Sequence, residues 1–415
     1  MTVATGIAKK VAFLKEGTWN TSSTAWTAAV TGAHYLRRVS SDIDLSKDTY
    51  TSNELRADYQ VGDVRHGMRK VGGTLKGELA PGAYNAFMQS LFRRDYAALA
   101  ADTAIGTVTI AGTGPTYTLT TPTGRLAAGW KAGMVTAISA QTGGTAGNLN
   151  KNLFIVGATA TVLTVIPGGD GTLVTGAPTV VTLTAPGKYT YTPLTGHTND
   201  SYLIEHWYSD LSRGEVFSGC RINTMDLNLP ATGIATADFG VVGADINGAG
   251  AWAATSQYFT TPTTATSYGL LTAVMGVLRI GGASIATVTG LSLKVEGGYT
   301  TGAVVGSNIT PDVFAGRVKV TGQLTAYFDS VTVRDYFINE TKFALQCVMW
   351  SDTTNTSDFI SFALPNCKAM GATKSDGEQG LVMTIPFSAL YNGTPTSDVS
   401  EDTLRTTMMV CDSKA

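Results

Sequence analysis

The residue types that most often carry catalysis or bind metals are sparse in this sequence. The chain has four histidines, His34, His66, His197 and His206. None stands in an HxxxH or HxxE arrangement, which would place two metal ligands on one helical face. Glu205 and His206 are adjacent in a predicted strand over 202–208, where neighbouring side chains point to opposite faces and do not form an acid–base pair. We predict no metal site and no cofactor, and we interpret His206 as a structural strand histidine.

Three other patterns that can carry chemistry have simpler structural explanations. The run Gly168-Gly169-Asp170-Gly171 is followed by no GK[ST] and has no EF-hand spacing, so we predict a hairpin turn. Asp42 and Asp44 share a strand face, as two glycosidase acids do, yet alternating acids are typical of a solvated strand face. Gly-x-Ser-x-Gly, the nucleophile elbow of α/β-hydrolases, is absent. Together these patterns predict that the protein is not an enzyme.

The cysteines and the apolar runs bear on the environment of the protein. The four cysteines are Cys220, Cys347, Cys367 and Cys411. They show no CxxC spacing and are too few to stabilise a chain of this length through disulfides, so we predict reduced, structural thiols. No long apolar segment follows the first lysines, and every apolar run is far shorter than a membrane span. We expect a soluble protein that is made in a cytoplasm and has no membrane partner.

The composition predicts a mainly β protein. Of the 415 residues, 43% are hydrophobic and 14% are charged, whereas globular chains usually contain roughly 25% charged residues. Threonine, which favours pleated and half-buried strands, is frequent throughout. The formal net charge is -2, so the chain has no electrostatic surplus for tight, salt-sensitive binding to phosphates. The composition therefore argues against a DNA-binding regulator.

Charge divides the chain into three zones. Between about 102 and 193 charged residues nearly vanish, and short alternating runs recur between glycine and proline breaks. These runs lie at 107–110, 117–120, 134–138, 160–165 and 189–192. The flanking zones mix the same alternation with acidic and basic residues. The middle zone is thus predicted to be a small all-β module inserted into a larger fold.

Each flanking zone contains one predicted short helix and similar residues around it. The first helix begins at Pro81, a residue suited to the first helical position, and ends at Phe92. The second begins at Asp329, a favourable N-cap, and runs to Phe337. Gly77-Glu78-Leu79 before the first helix resembles Gly322-Gln323-Leu324 before the second.

The resemblance between the flanking zones continues beyond the helices. Trp207-Tyr-Ser-Asp210 resembles Trp350-Ser-Asp352, and Cys220-Arg221 resembles Cys367-Lys368. The offset between the copies shrinks after the helices by about the length of the low-charge zone, as expected if the second copy lacks that zone. The pattern predicts a duplicated strand–helix–strand domain whose first copy carries the insertion.

Several segments resemble the major tail tube proteins of long-tailed, non-contractile (siphovirus-type) phages. The segments are VAFLKEGTWNT at 11–21, KDTYTSNELRADYQVGDVRHG at 47–67, GGTLKGEL at 72–79 leading into the first helix, and the run 201–243. The resemblance covers most of 10–97 and 200–245 and is looser from 251 onward. It implies a structural virion protein that self-assembles into stacked rings, which form a hollow conduit for DNA ejection.

The resemblance also implies a fold and a ring. We expect a mainly β protein with two tandem tail-tube-type β-sandwich or barrel domains, each with a short flanking helix, plus an inserted small all-β domain. The first tube domain is expected over 1–97 with 196–250, the inserted domain over 98–195 as external decoration, and the second tube domain over 251–415. Because two fused domains occupy two of six ring positions, a homotrimer is expected to form a pseudo-hexameric ring; a ring of six chains is the alternative if the two halves are unrelated.

The partners implied by the resemblance are those of a tail. They are further copies of the chain, the tape measure protein, the tail terminator and the distal tail protein, with transient, non-specific passage of DNA. The expected location is the virion tail, assembled in the cytoplasm of the bacterial host. A slightly acidic or neutral wall suits a conduit because it does not hold phosphates.

The charged stretch 47–69 is the candidate for contact between rings. We expect it to lie between two strands, too long for a hairpin turn, and to reach onto the adjacent ring. Its apolar side chains would become buried on stacking: Leu55, Tyr59, Val61, Val64 and Met68. A surface loop that makes no such contact is the alternative interpretation.

The alternative function is a β-rich adhesin or a receptor-binding virion module. A tube subunit polymerises head to tail through heterologous contacts, whereas an adhesin stays a closed oligomer and binds a glycan or a surface. The symmetry of association therefore separates the two functions.

Overall fold

Strands form most of the described chain, as its threonine and valine content predicts. The computed structural model describes residues 5–20, 30–103, 105–122, 129–144, 146–169, 171–247, 257–265, 268–284, 288–327, 332–375, 380–393 and 405–415. The prediction of a mainly β fold is confirmed. None of the helices in these ranges is long and apolar enough to span a membrane.

The described residues up to 200 contain one helix and thirteen strands. They are β1 Lys9–Lys15, β2 His34–Tyr35, β3 Ser40–Ser41, β4 Asp44–Thr51, β5 Val64–Glu78, α1 Asn85–Phe92, β6 Ala97–Ala98, β7 Thr109–Gly112, β8 Tyr117–Thr120, β9 Val135–Thr142, β10 Leu153–Ala158, β11 Val162–Pro167, β12 Thr179–Thr184 and β13 Lys188–Tyr191.

The described residues beyond 200 contain one helix and fifteen strands. They are β14 Tyr202–Tyr208, β15 Arg213–Pro230, β16 Thr236–Gly243, β17 Asp245–Asn247, β18 Gly276–Ile280, β19 Ala283–Ser284, β20 Val288–Glu296, β21 Thr300–Thr301, β22 Val313–Phe314, β23 Lys319–Tyr327, α2 Thr332–Ile338, β24 Lys342–Trp350, β25 Phe359–Ala369, β26 Thr373–Lys374, β27 Val382–Ala389 and β28 Met409–Asp412. Short 3-10 turns lie at Ala146–Asn148 and Ala273–Met275.

Two sets of strands pair in the same antiparallel order. In the first set the order is β1, β14, β15, β16, β5 and β4. In the second set it is β18, β24, β25, β27, β23 and β20. In each set the helix lies in the chain between the fifth strand of this order and the second. We name the two sets the first and second repeats.

Strand β15 is long enough to take part in two layers of the first repeat. Its first half pairs with β14, and residues 221–228 pair with β16. Apolar side chains from both halves enter one core with helix α1, where the ring centroid of Phe87 lies 5.6 Å from that of Tyr202 and 5.5 Å from that of Phe239. These edge-on aromatic contacts add to the free energy gained by burying the rings.

Strands β7 to β12 form a separate six-stranded sheet within the low-charge zone. Its side chains share a core with the second repeat: Phe154 and Val156 cluster with Trp350 and Phe359. Strand β13, also from this zone, pairs instead with β6 and with the C-terminal strand β28. The low-charge zone is therefore packed against the strands of the second repeat.

Two local predictions are wrong. Helix α1 begins at Asn85 rather than Pro81 because Gly82 has a φ of 75°, a left-handed conformation that an α-helix does not accommodate. The Gly168–Gly171 run is not a hairpin turn, since β11 before it pairs with β8 and β10 whereas β12 after it pairs with β9. Asp170 and the predicted N-cap Asp329 lie outside the described residues.

Candidate functional site

Eight strands from both repeats form a continuous wall with one polar face. The order is β4, β5, β16, β15, β20, β23, β27 and β26, and every neighbouring pair is antiparallel. The pairing of β15 with β20 joins the first repeat to the second. We call these eight strands the wall.

Alternation along each strand of the wall separates an apolar from a polar face. Leu75, Phe239 and Leu227 point into the core, and their neighbours Lys76, Asp238 and Asp226 point away from it. Because Lys76 lies opposite Asp238 and Asp226 lies opposite both Asp238 and Lys294, the pairing aligns these polar side chains in one row. The wall thus buries one face against the subunit core and leaves the other polar.

Ion pairs partly neutralise the polar face. Lys294 Nζ lies 3.1 Å from Glu296 Oε1, and Lys319 Nζ lies 3.9 Å from the other oxygen of the same carboxylate. Lys76 Nζ lies 3.9 Å from Asp238 Oδ2. Burial raises the pKa of Asp238 and that of Asp226, and a nearby lysine opposes the rise in each case. Contacts this exposed contribute little stability; their main effect is to balance charge.

Carboxylates nevertheless outnumber lysines on this face. The charged side chains on this face are counted from Gly72 inward along β5, together with Asp42, which lies just before β4. They are Asp42, Asp44, Lys76, Glu78, Asp226, Asp238, Lys294, Glu296 and Lys319. Six are acidic and three are basic, and no arginine occurs among them. Arginine is the side chain that best matches phosphate oxygens in bidentate geometry. The face therefore presents little that would bind a nucleic acid backbone.

The predicted sharing of one strand face by Asp42 and Asp44 is confirmed. Both carboxylates are exposed on either side of buried Ile43, and Asp44 pairs with Gly72 of β5. The backbone N–H of Asp42 donates to the carbonyl of Thr74 at 3.2 Å. These residues continue the polar face of the wall.

Strands β4 and β5 extend beyond the core as a hairpin. We call residues 46–66 the arm; they are mostly exposed on both faces. Their tip, residues 52–63, is closed by a hydrogen bond of 2.9 Å from Ser52 N to the carbonyl of Asp63. Four of the five predicted contact residues lie on the arm: Leu55 is 100% exposed, Tyr59 99%, Val61 68% and Val64 53%. Isolated large apolar side chains are common on surfaces, but a cluster at such exposure is typical of a contact surface.

Two expectations about this segment need correction. The stretch 47–69 does not lie between two strands, because β4 continues to Thr51 and β5 begins at Val64. Met68 is only 8% exposed, since β5 enters the core at that residue. Met68 therefore has very little side-chain surface left to bury on assembly, and we remove it from the candidate contacts.

The base of the arm is held by charged side chains. Lys70 Nζ lies 2.9 Å from Asp48 Oδ1, across the two strands of the hairpin. The guanidinium of Arg69 donates to both carboxylate oxygens of Asp245 at 3.0 and 3.1 Å. The backbone N–H of Arg69 donates to the carbonyl of Asn308 at 2.8 Å. The arm therefore leaves the subunit in a defined direction.

The buried ionisable groups have structural partners. Glu205, in β14 as predicted, accepts hydrogen bonds from the backbone N–H groups of Tyr258 and Phe259 at 2.7 and 3.2 Å. His206 Nε2 lies 2.8 Å from Ser41 Oγ, and burial, helped by Lys9 and Arg38, lowers the pKa of His206 to about 3. All four cysteines are buried free thiols, and burial raises their pKa values.

The described residues contain no group of three or more His, Cys, Asp or Glu side chains that could hold a metal ion. The wall does not follow from the sequence alone, because the opposition of Lys76, Asp238, Asp226 and Lys294 depends on which strands pair. The signal that was available is the regular alternation of polar and apolar residues in β16, β20 and β27.

These features define a structural subunit, with an extensive polar sheet face and a projecting, exposed arm. The model of the phage tail tube protein family matches residues 6–389 of the chain. The chain therefore belongs to the phage tail tube protein family, and it is a structural subunit of the virion tail that assembles with copies of itself into a tube. No curated protein matches the sequence significantly.

Proposed function

We propose that three copies of the chain form a pseudo-hexameric ring, and that stacked rings form the hollow DNA conduit of a long, non-contractile, siphovirus-type tail. The observation that carries the proposal is the wall: two repeats with the same strand order are joined edge to edge by β15 and β20. Each chain thus supplies two similar wall segments, and three chains supply six. Assembly in the cytoplasm of the bacterial host is part of the proposal.

In this arrangement the polar face of the wall lines the lumen. A DNA conduit must let the double helix pass without holding it. Basic side chains that neutralise phosphates release counterions and bind DNA tightly at low salt. The excess of carboxylates over lysines and the ion pairs of Lys76, Lys294 and Lys319 support weak, non-specific passage instead.

The arm supplies the contact between rings. Leu55, Tyr59 and Val61 are exposed in the single subunit, and stacking would remove their apolar surface from water. Val64, at the start of β5, would extend the same contact toward the base of the arm. The fixed direction of the arm, set by Arg69 and Asp245, lowers the entropy lost on docking.

The domain division enters the proposal with the boundaries given by the sequence. Residues 1–97 with 196–250 would form the first tube domain, 251–415 the second, and 98–195 an inserted domain on the outside of the tube. The six-stranded sheet of the insertion packs on β24 and β25, the layer of the second repeat that does not belong to the wall, and this supports an external position. The tape measure, tail terminator and distal tail proteins are the proposed partners in the tail.

Negative-stain electron microscopy of the purified chain, before and after concentration, tests the proposal. Rotational averaging of end-on views should give hollow rings with threefold symmetry and three peripheral projections from the insertion. Rings with sixfold symmetry and six chains would contradict the trimer. Compact particles that never polymerise would contradict tube formation and would return attention to a receptor-binding module and a glycan-binding screen.

A further inference from the structure

Two strand edges form the ladder that joins the repeats within one chain. Each of these edges has a counterpart, one at each end of the wall. Strand β20 pairs with β15 over seven residue pairs, from Thr224 opposite Glu296 to Pro230 opposite Gly290. On its other side β20 pairs with β23. Strand β20, the last strand in the pairing order of the second repeat, is thus shared between the two repeats.

In the first repeat the counterpart of β20 is the extended segment 40–46, which comprises β3 and the start of β4. Ser40, Ser41 and Asp44 pair with β5 in one continuous register, as β20 pairs with β23. In this register Leu75 of β5 corresponds to Leu324 of β23, and both are buried in the core, so the sequence match of Leu79 with Leu324 is displaced by four residues in the structure. The buried residue Ile43 corresponds to buried Leu293, and exposed Asp44 corresponds to exposed Lys294.

In the second repeat the counterpart of the second half of β15 is the segment 371–375, which includes β26. Cys220 and Cys367 mark the correspondence, because each follows the irregularity that interrupts pairing with β14 or β24. Beyond that point β15 pairs with β16, and β25 and β26 pair with β27. On this alignment Thr373 corresponds to Asp226, the residue opposite Lys294.

The segment 40–46 has a ladder on one side only among the described residues. Its strand partner is β5, and the carbonyl of Ser41 accepts a hydrogen bond from Lys9 Nζ at 2.9 Å. A lysine at a sheet edge is a common protection against uncontrolled pairing. The edge is therefore available for a matching strand, and its equivalent in the second repeat already holds one.

We propose that the segment 40–46 of one chain pairs antiparallel with the segment 371–375 of the next chain, in the register of the β15–β20 ladder. The pairs are Asp42 opposite Ser375, Asp44 opposite Thr373 and Ser46 opposite Gly371. The proposal rests on the proposed tube function and names the contact that closes its ring. Three ladders within chains then alternate with three ladders between chains.

The chemistry of the two edges fits this pairing. Asp42 donates its N–H to β5, so the backbone groups of Ile43 and Leu45 point to the neighbouring strand. Asp42 and Asp44 stay on the polar face beside the hydroxyls of Thr373 and Ser375, and Ile43 stays on the core side. No like charge lies directly opposite another in these three pairs, which would be destabilising.

Disulfide trapping tests the register. The variant carrying Asp44→Cys and Thr373→Cys places two thiols at a pair that does not share backbone hydrogen bonds, where Cα atoms are roughly 4.5 Å apart. The native cysteines are buried in the subunit, so they compete little. Oxidised tubes should run as covalent trimers on a denaturing gel, and a mixture of the two single variants should give a covalent dimer.

The control variant carries Asp44→Cys and Thr384→Cys. Thr384 lies opposite Thr373 on β27, one strand further from the seam, and it should give no crosslink. If tubes form by microscopy but neither the first pair nor Asp42→Cys with Ser375→Cys crosslinks, this register is wrong and the tube function stands. If the wild-type chain forms no tubes, the proposed function itself fails.

Discussion

The two repeats share a strand order, but the connection between the last two strands of that order differs between them. In the first repeat the connection between the paired strands β4 and β5 projects as the arm. In the second repeat the connection between β20 and β23 folds back and forms the small sheet of β21 and β22. Of these two connections, the first projects as an arm and the second does not, although the wall segments that they join are similar.

Buried arginines account for the folded-back connection. Arg93 donates to the carbonyls of Gly297 and Gly316 at 2.7 and 2.9 Å, and its guanidinium stacks on the ring of Tyr299. Arg221 donates to the carbonyl of Val313 and lies 3.1 Å from Asp312. The arm has no comparable buried donor among its described residues, since its arginines, Arg56 and Arg65, are exposed and pair locally with Asp58 and Asp63. A repeated sheet order thus leaves the connections free to take different roles.

A charge introduced on the arm is expected to have the largest effect, and this effect is on tube assembly. Leu55→Asp should abolish tube formation, because a carboxylate buried in the contact between rings would lose its hydration without a partner. Val305→Asp, at an equally exposed site on the second connection, should leave tubes intact. Both variants should match the wild type in circular dichroism and thermal unfolding, and electron microscopy reports assembly. Normal tubes from the Leu55 variant would remove the arm from the contact.

The two helices provide the next largest contrast, in stability rather than assembly. Phe87 of α1 is fully buried, and Phe87→Ala should lower the free energy of unfolding by about 3–5 kcal/mol. Phe337 of α2 is 41% exposed, so Phe337→Ala should cost clearly less. Urea unfolding of the unassembled chain measures both. Equal losses would mean that α2 is as important to its repeat as α1.

A smaller loss is expected when the second connection is released. Arg221→Met should lower the free energy of unfolding by about 2 kcal/mol, because a charged hydrogen bond to a buried carbonyl is lost. Arg65→Met, at an exposed pair, is the matched control and should change it by less than about 1 kcal/mol. Hydrogen exchange should accelerate at 300–314 in the first variant only. Unchanged exchange there would show that other contacts hold the connection.

Much of this fold could be predicted from local sequence patterns. The rest depends on pairing between strands that are distant in the sequence. The strand over 202–208, the apolar face of α1 and several strands of the low-charge zone follow from alternation and periodicity. The start of α1 at Asn85 did not, because the conformation of Gly82 depends on its surroundings, including a hydrogen bond from its N–H to the Asp412 carboxylate at 2.9 Å. The burial of Met68 and the row from Lys76 to Lys294 depend on register across distant strands, which one sequence does not display.

The contrast with the smallest expected effect at pH 7 is the response of the two repeats to acid. His206 in β14 occupies the position that Cys347 occupies in β24, counted from the pairing irregularity in each repeat. Burial lowers the pKa of His206 to about 3, below its ordinary value of 6.5, and raises that of Cys347 to about 12. Between these two histidine values the unfolded chain holds a proton that the folded chain does not. Stability should therefore rise with pH across this window, by at most about 1.4 kcal/mol per pH unit from this group.

The variant His206→Cys makes the first repeat resemble the second at this position. It loses the contact with Ser41 Oγ, so its stability at pH 7 should fall slightly, but the slope contributed by His206 between pH 3 and 6.5 should disappear. Urea unfolding at a series of pH values measures the slope directly. Asn and Gln at the same position serve as controls, since neither titrates and both retain a polar group for Ser41. An unchanged slope in all three variants would assign the acid response to carboxylates elsewhere, and the two repeats would then not differ in this respect.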